Sequence, residues 1–296
     1  MVTVLFVAAR IVASPVANLF QKQLAQHGAS PVFIIGATHA LLTLVALPIL
    51  AISPPLALGA AFWANMGISA VLAVIGNVLL VYALQSTDLS VLGPINSYKA
   101  VVSLILGVFL LGEVPTAPGL LGVLLILAGS YFVVDRVPEQ PGRNAYVQFF
   151  RTRGVRLRFA ALLFSATEAI FLKRAILHSS PTITFLFWSV LGLPIAAAAL
   201  MLRLRASTLD EVAGRRHRWA SYLWLALATA LMQLATLLTF DSLQVGYSLA
   251  LFQLSTLISV FLGYRFFAER HIGRRLIGSA IMAAGAVLIV SLGRPG

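Results

Sequence analysis

The chain is a succession of long apolar runs separated by shorter polar ones. Ten runs fall at about 2–22, 31–51, 60–84, 89–112, 116–135, 157–178, 182–202, 219–240, 245–267 and 272–292. Each is close to the roughly 20 residues an α-helix needs to cross a bilayer. The connections Gly28-Ala29-Ser30-Pro31, Ser53-Pro54-Pro55 and Ser179-Ser180-Pro181 hold turn-forming residues, so successive helices reverse direction there. The pattern predicts an all-α integral membrane protein of ten transmembrane helices. One connection is long, 136–156. Its Tyr146, Val147, Phe149 and Phe150 stand beside Arg151, Arg153 and Arg156, which suits either a segment seated among lipid headgroups or a solvated linker.

The pattern also repeats. Ser103, Gly107, Glu113, Gly122 and Gly129 recur 156 positions later as Ser259, Gly263, Glu269, Gly278 and Gly285. Phe20 and Lys22 recur 151 later as Phe171 and Lys173, and Ser30-Pro31 recurs 150 later as Ser180-Pro181. With five spans per half, an odd number, the second half must enter the membrane inverted. This divides the chain into repeats at 1–135 and 157–296 joined by the 136–156 loop. Inverted repeats are built into many transporters, with the solute site near the membrane midplane between them.

Composition agrees with the pattern. Hydrophobic residues make up 60% and charged residues 10%, against about 25% charged in soluble domains. Twenty-one Lys and Arg against nine acids give a net charge of +12. The bases sit largely in loops, so the expected partner is an anionic lipid surface and not nucleic acid. There is no cysteine, hence no disulfide, thiolate metal site or thiol nucleophile. Residues 1–9 carry no positive side chain, so no cleavable signal peptide is expected. Sixteen bases, Lys22 and Arg158 among them, are assigned to the side opposite the N-terminus. Lys173, Arg174 and Arg294 share the N-terminal side, while Arg10 and Lys99 lie within the membrane. The positive-inside rule then places both termini outside the cytoplasm.

The span from Leu89 to Glu113 carries the clearest candidate chemistry. Lys99 lies near its middle, where a Lys costs roughly 2.5–3.5 kcal/mol on insertion scales. Asn96, Lys99 and Ser103 fall at i, i+3 and i+7 on one helix face. Pro94 lacks the donor its turn needs, which predicts a kink at Gly93-Pro94. A polar stripe at mid-depth suits a buried cavity; the plainer alternatives are a Lys that snorkels or pairs structurally. Glu168 is the one acid deep in a span, able to carry a proton or to form a fixed pair with Lys99 or Arg10. Arg10 faces either the cavity or the headgroups. His39 is a packing residue or a proton relay. Asn77, Gln233 and Gln253 sit inside spans, where amides commonly bond helix to helix. Gln253 is the best cavity candidate of the three, because the repeat sets it opposite Ser97. Glu113 and Glu269 read as interfacial turn residues.

The stretches LGVFLLGEVPTAPGLLGVLLILAGSYFVV and FLGYRFFAERHIGRRLIGSAIMAAGAVLIV, each with a Glu before a Gly-rich helix, resemble the EamA branch of the drug/metabolite transporter superfamily. The resemblance covers nearly the whole chain. It implies alternating access around a central cavity. Many relatives are thought to keep both termini in the cytoplasm, opposite to the charge count. The small multidrug-resistance relatives carry a Glu eight residues before a Lys. Counting back from Lys22 and Lys173 gives Ser14 and Ser165, with Glu168 three residues out of register, so their drug–proton mechanism does not transfer.

There is no HExxH, GxSxG or P-loop in the chain. The expectation is a secondary transporter in a bacterial inner (plasma) membrane, with no enzymatic activity, cofactor or metal, able to act as a monomer. Its solute is a small metabolite with an anionic group, amino-acid-like, sugar-phosphate-like or nucleotide-sugar-like. Lys99, Asn96, Arg10, Gln253 and Ser103 would bind it, and Glu168 and His39 would couple transport to protons. The alternatives are a proton-coupled exporter of cationic or amphiphilic drugs and a membrane enzyme or accessory protein for lipid-linked substrates.

Overall fold

The computed structural model describes residues 2–53, 57–86, 89–133, 151–204, 219–267 and 275–292. Eleven helices carry these residues: α1 (Val2–Gln26), α2 (Pro31–Ile52), α3 (Ala60–Ser86), α4 (Leu89–Leu111), α5 (Ala117–Val133), α6 (Arg153–Leu177), α7 (Pro181–Leu204), α8 (Trp219–Ser242), α9 (Val245–Phe252), α10 (Ser255–Phe267) and α11 (Arg275–Leu292). The described residues contain no strand. α9 and α10 are two pieces of the ninth span, parted at Gln253-Leu254. By length and composition α1, α2, α3, α7 and α8 each suffice to cross a membrane. α6 is as long as α1 but carries Arg153, Arg156, Arg158, Glu168, Lys173 and Arg174, so its crossing depends on turning that polarity inward.

Local chemistry repeats between the halves. Ser30 Oγ accepts the Phe33 N–H at 3.3 Å at the head of α2, with Pro31 in the first turn. Ser180 Oγ accepts the Ile183 N–H at 3.2 Å at the head of α7, which begins on Pro181. Both follow the same capping logic: a hydroxyl takes an orphan donor, and Pro sits where no N–H is needed. Gly112, at φ 68°, ends α4 in the left-handed region that Gly enters without strain.

The halves interlock. α3 packs on α6 and α8 on α1, a matched pair of interfaces, while α2 packs on α7 and α5 on α11. In the last pair a Cβ on Gly122 would fall 2.7 Å from the Gly285 carbonyl oxygen, and one on Gly129 would fall 2.6 Å from that of Gly278. These are the two glycine pairs of the repeat, exchanged across an antiparallel crossing. Without side chains the backbones touch, which is how membrane helices gain packing where lipid supplies no hydrophobic drive. The outer surface is apolar: Leu44 is 71% exposed, Phe109 81% and Trp224 58%. Such a surface is what lipid requires.

α4 is helical through Gly93-Pro94, and a chain interruption falls in the other half, at Gln253. Two expectations change. α6 begins at Arg153, inside the expected 136–156 loop, while 134–150 lie outside the described residues. Lys22 and Arg158, counted as loop bases, are 4% and 7% exposed and belong to the protein interior.

Candidate functional site

A polar cavity of about 120 Å³ lies between the helices of the two halves. Its lining obeys the repeat. From α1 come Arg10, Ser14, Ala17, Asn18 and Gln21, and from α6 their counterparts 151 positions on, Ala161, Ser165, Glu168, Ala169 and Leu172. Gly76, Asn77 and Leu80 of α3 answer to Met232, Gln233 and Thr236 of α8 at offset 156. Asn96 and Lys99 of α4 answer to Phe252 and Ser255, and Thr38 of α2 to Trp188 of α7. The lining positions pair between the halves, but the chemistry on them does not. Arg10 faces an Ala position, Lys99 a Ser and Glu168 an Ala.

Arg10 points into the cavity. Its Nε donates to Thr236 Oγ1 at 2.7 Å, its guanidinium lies 4.9 Å over the Phe252 ring, and Nη1 is buried without a hydrogen-bond partner. Glu168 is 7% exposed and accepts the Trp188 indole N–H at 3.1 Å on Oε1. Trp188 in turn packs against the His39 ring, centroids 4.8 Å apart. A ring nitrogen of His39, Nδ1, lies 3.2 Å from the Ser189 carbonyl oxygen. The ring sits against Gly192, where a Cβ would overlap it. Lys99 and Arg10 lie within electrostatic reach of Glu168. Among the described residues no Lys99–Glu168 ion pair closes within 4.0 Å. Asn96 Nδ2 donates to Gln253 Oε1 at 3.3 Å across the halves, and Gln253 Nε2 donates to the Leu249 carbonyl at 3.1 Å.

Six of the seven predicted residues therefore meet at one cavity: Arg10, His39, Asn96, Lys99, Glu168 and Gln253. Ser103 does not. It is fully buried and donates to the Ala166 carbonyl at 3.4 Å, a contact between α4 and α6 and no part of the lining. Sequence reasoning missed Trp188 and Arg158. Trp188 had a findable signal: it stands 150 after Thr38, beside the counterpart of His39. Arg158 had none, since an Arg near a span end in a basic stretch looks like a loop charge.

Polar contacts between the halves gather around Glu113 and Tyr247. Glu113 Oε2 accepts the Val245 N–H at 2.8 Å, capping α9 from the far half. Tyr247, 1% exposed, takes the Thr116 N–H on its hydroxyl at 2.7 Å, and the Lys173 ammonium donates to the Phe240 carbonyl. Burial pushes the Glu113 carboxyl above the ordinary carboxylate range, while Val245 N–H and Lys173 pull it down.

Paired apolar helices around a charged interior cavity describe an all-α membrane protein. Residues 1–135, the first of the two repeats, match the EamA-like transporter family. A segment of 62 residues, 21% of the chain, is 40% identical to an uncharacterized protein of Methanocaldococcus jannaschii; the match spans 45% of that relative's length. A solved structure, described only as a crystal structure of a protein, superposes with a TM-score of 0.63 at 16% identity over 97% of this chain and 98% of its own. It supports the fold alone.

Proposed function

We propose that the protein is a secondary transporter of a small solute bearing an anionic group, working by alternating access between repeats 1–135 and 157–296. The observation that carries this is the charge of the cavity: Arg10, Lys99 and Arg158 line it with Glu168 as the one carboxylate. Buried like charges are costly, so an anion bound there relieves repulsion while the cations supply charge-assisted hydrogen bonds. Arg10 Nη1 and Lys99 take the anionic group; Asn96 and Gln253 hold its flank and bridge the halves. Glu168, tied to Trp188 and through it to His39, is the group whose protonation couples to transport.

A thermal-shift screen of the purified protein against a metabolite library tests the reading, because a ligand of the folded state raises apparent stability by mass action. Small anions should dominate the hits. A hit list made up of lipophilic cations would replace this reading with the drug-export one.

A further inference from the structure

Six buried side-chain polar atoms among the described residues have no hydrogen-bond partner, and four of them lie on lining residues of the cavity. One is Arg10 Nη1. The other three are neutral: Gln21 Oε1, Thr229 Oγ1 and Gln233 Nε2, on residues 5%, 7% and 6% exposed. Buried polar atoms are nearly all paired in folded proteins, so three orphans along the cavity lining call for partners in the cavity.

Their placement is ordered. Arg10 and Thr236 fix α1 against α8 at one depth. Ala17, Leu24 and Ala25 of α1 pack with Tyr222, Leu225 and Ala228 of α8, so the two helices run antiparallel. Moving from Arg10 toward Gln21 on α1 therefore means moving from Thr236 through Gln233 to Thr229 on α8. The cavity has a charged end at Arg10, Lys99 and Glu168, and a neutral hydrogen-bonding wall at Gln21, Thr229 and Gln233.

We infer that this wall is a second subsite that takes hydroxyl groups, so that the solute is a small hydroxylated organic anion. This rests on the anion reading above and extends it. The wall offers an amide oxygen, an amide nitrogen and a hydroxyl. A solute hydroxyl both donates and accepts, so it matches all three whichever way the two amides are turned. An alkyl or aryl tail would leave all three unpaired, and a site with unpaired buried polar groups rejects the ligand that lacks their partners far more strongly than it rejects a change of size.

The test is thermal unfolding of the full-length purified chain titrated with three probes: threonate, butanoate and erythritol. Threonate and butanoate share charge and carbon count; erythritol has the hydroxyls without the charge. Threonate should stabilise at concentrations at least tenfold below butanoate. Thr229→Val and Gln233→Leu should raise the threonate requirement tenfold or more, leave the butanoate response unmoved, and not lower the unliganded midpoint. Thr229→Val removes only an orphaned polar atom and costs the fold nothing, so a role in packing alone would leave all probe responses unchanged. Equal potency of threonate and butanoate in the wild type overturns the hydroxyl subsite and leaves the anion reading standing, with water filling the wall. Erythritol matching threonate while butanoate is inert keeps the subsite and overturns the anion reading. No response to any probe overturns the hydroxyl subsite, and the library screen decides the anion reading separately. If either variant fails to fold, the wild-type comparison of threonate with butanoate decides alone.

Discussion

The indole N–H of Trp188 donates to Oε1 of Glu168 at 3.1 Å, joining adjacent helices α6 and α7 inside the cavity wall. Glu168 thus has a neutral donor of its own and is held without a fixed ion pair. A carboxylate kept in this way can gain and lose a proton as Arg10 and Lys99 move relative to it. Glu168→Gln should abolish accumulation driven by a pH gradient and preserve exchange. Liposomes carrying each form, assayed for uptake under a gradient and for counterflow at equal pH, separate the two. Accumulation by the Gln form would free Glu168 from the coupling role.

Lys99 lines the same cavity from α4. Lys99→Ala should eliminate solute-induced stabilisation and leave the unliganded unfolding midpoint nearly unchanged. Were Lys99 only a structural partner of Glu168, its removal would strand a buried charge and cost about 3–5 kcal/mol. A collapsed midpoint with binding retained would mark it as structural.

Gly122 approaches the Gly285 carbonyl so closely that its Cβ would lie 2.7 Å from that oxygen and 2.7 Å from Ile289 Cγ1. Gly122→Leu should destabilise the detergent-solubilised protein, overpacking costing about 1–3 kcal/mol or more. Gly67, inside α3 with nothing within 4 Å of a built Cβ, is the control. Gly67→Ala should be neutral or stabilising by roughly 0.5–1 kcal/mol, the usual gain of Ala over Gly in a helix. Equal unfolding midpoints for the two variants would remove the close crossing as a source of stability.

Glu113 is raised from 4.5, with burial the largest cause. A carboxyl raised on folding favours the fold when protonated, and that contribution is lost as pH rises through its folded value. The wild-type midpoint should therefore fall relative to Glu113→Gln as pH climbs above about 4.5, and the gap should level off once the carboxyl is ionised. Unfolding scans of both forms across pH measure it. A gap independent of pH would show that the carboxyl does not titrate differently in the folded state.

Orientation follows from loop charge. Taking the buried Lys22 and Arg158 out of the count still leaves the basic excess on the side away from the termini. A reporter fused after Gly296 and active only outside the cytoplasm should light up. An active cytoplasmic fusion there would reverse the orientation.

Long apolar runs made the all-α architecture legible, because the bilayer admits almost no other way of satisfying the backbone, and five of the helices suffice by length and composition to cross it. The offsets of Ser30-Pro31 and of the paired glycines carried the repeat in the sequence itself. Lys99, Glu168 and Arg10 were conspicuous because a charge in an apolar run is costly and must be answered somewhere. What answers it was not legible. Whether Arg10 turned inward or toward headgroups depended on Thr236, 226 residues away. Ser103 shares a helix face with Asn96 and Lys99, yet it meets α6 before the cavity begins. Trp188 and Arg158 joined the site only through the α3–α6 and α2–α7 interfaces. Periodicity is a property of one helix, and a cavity is a property of the gaps between several. Residues that line it are chosen by which helices fail to touch, and only the tertiary structure decides that.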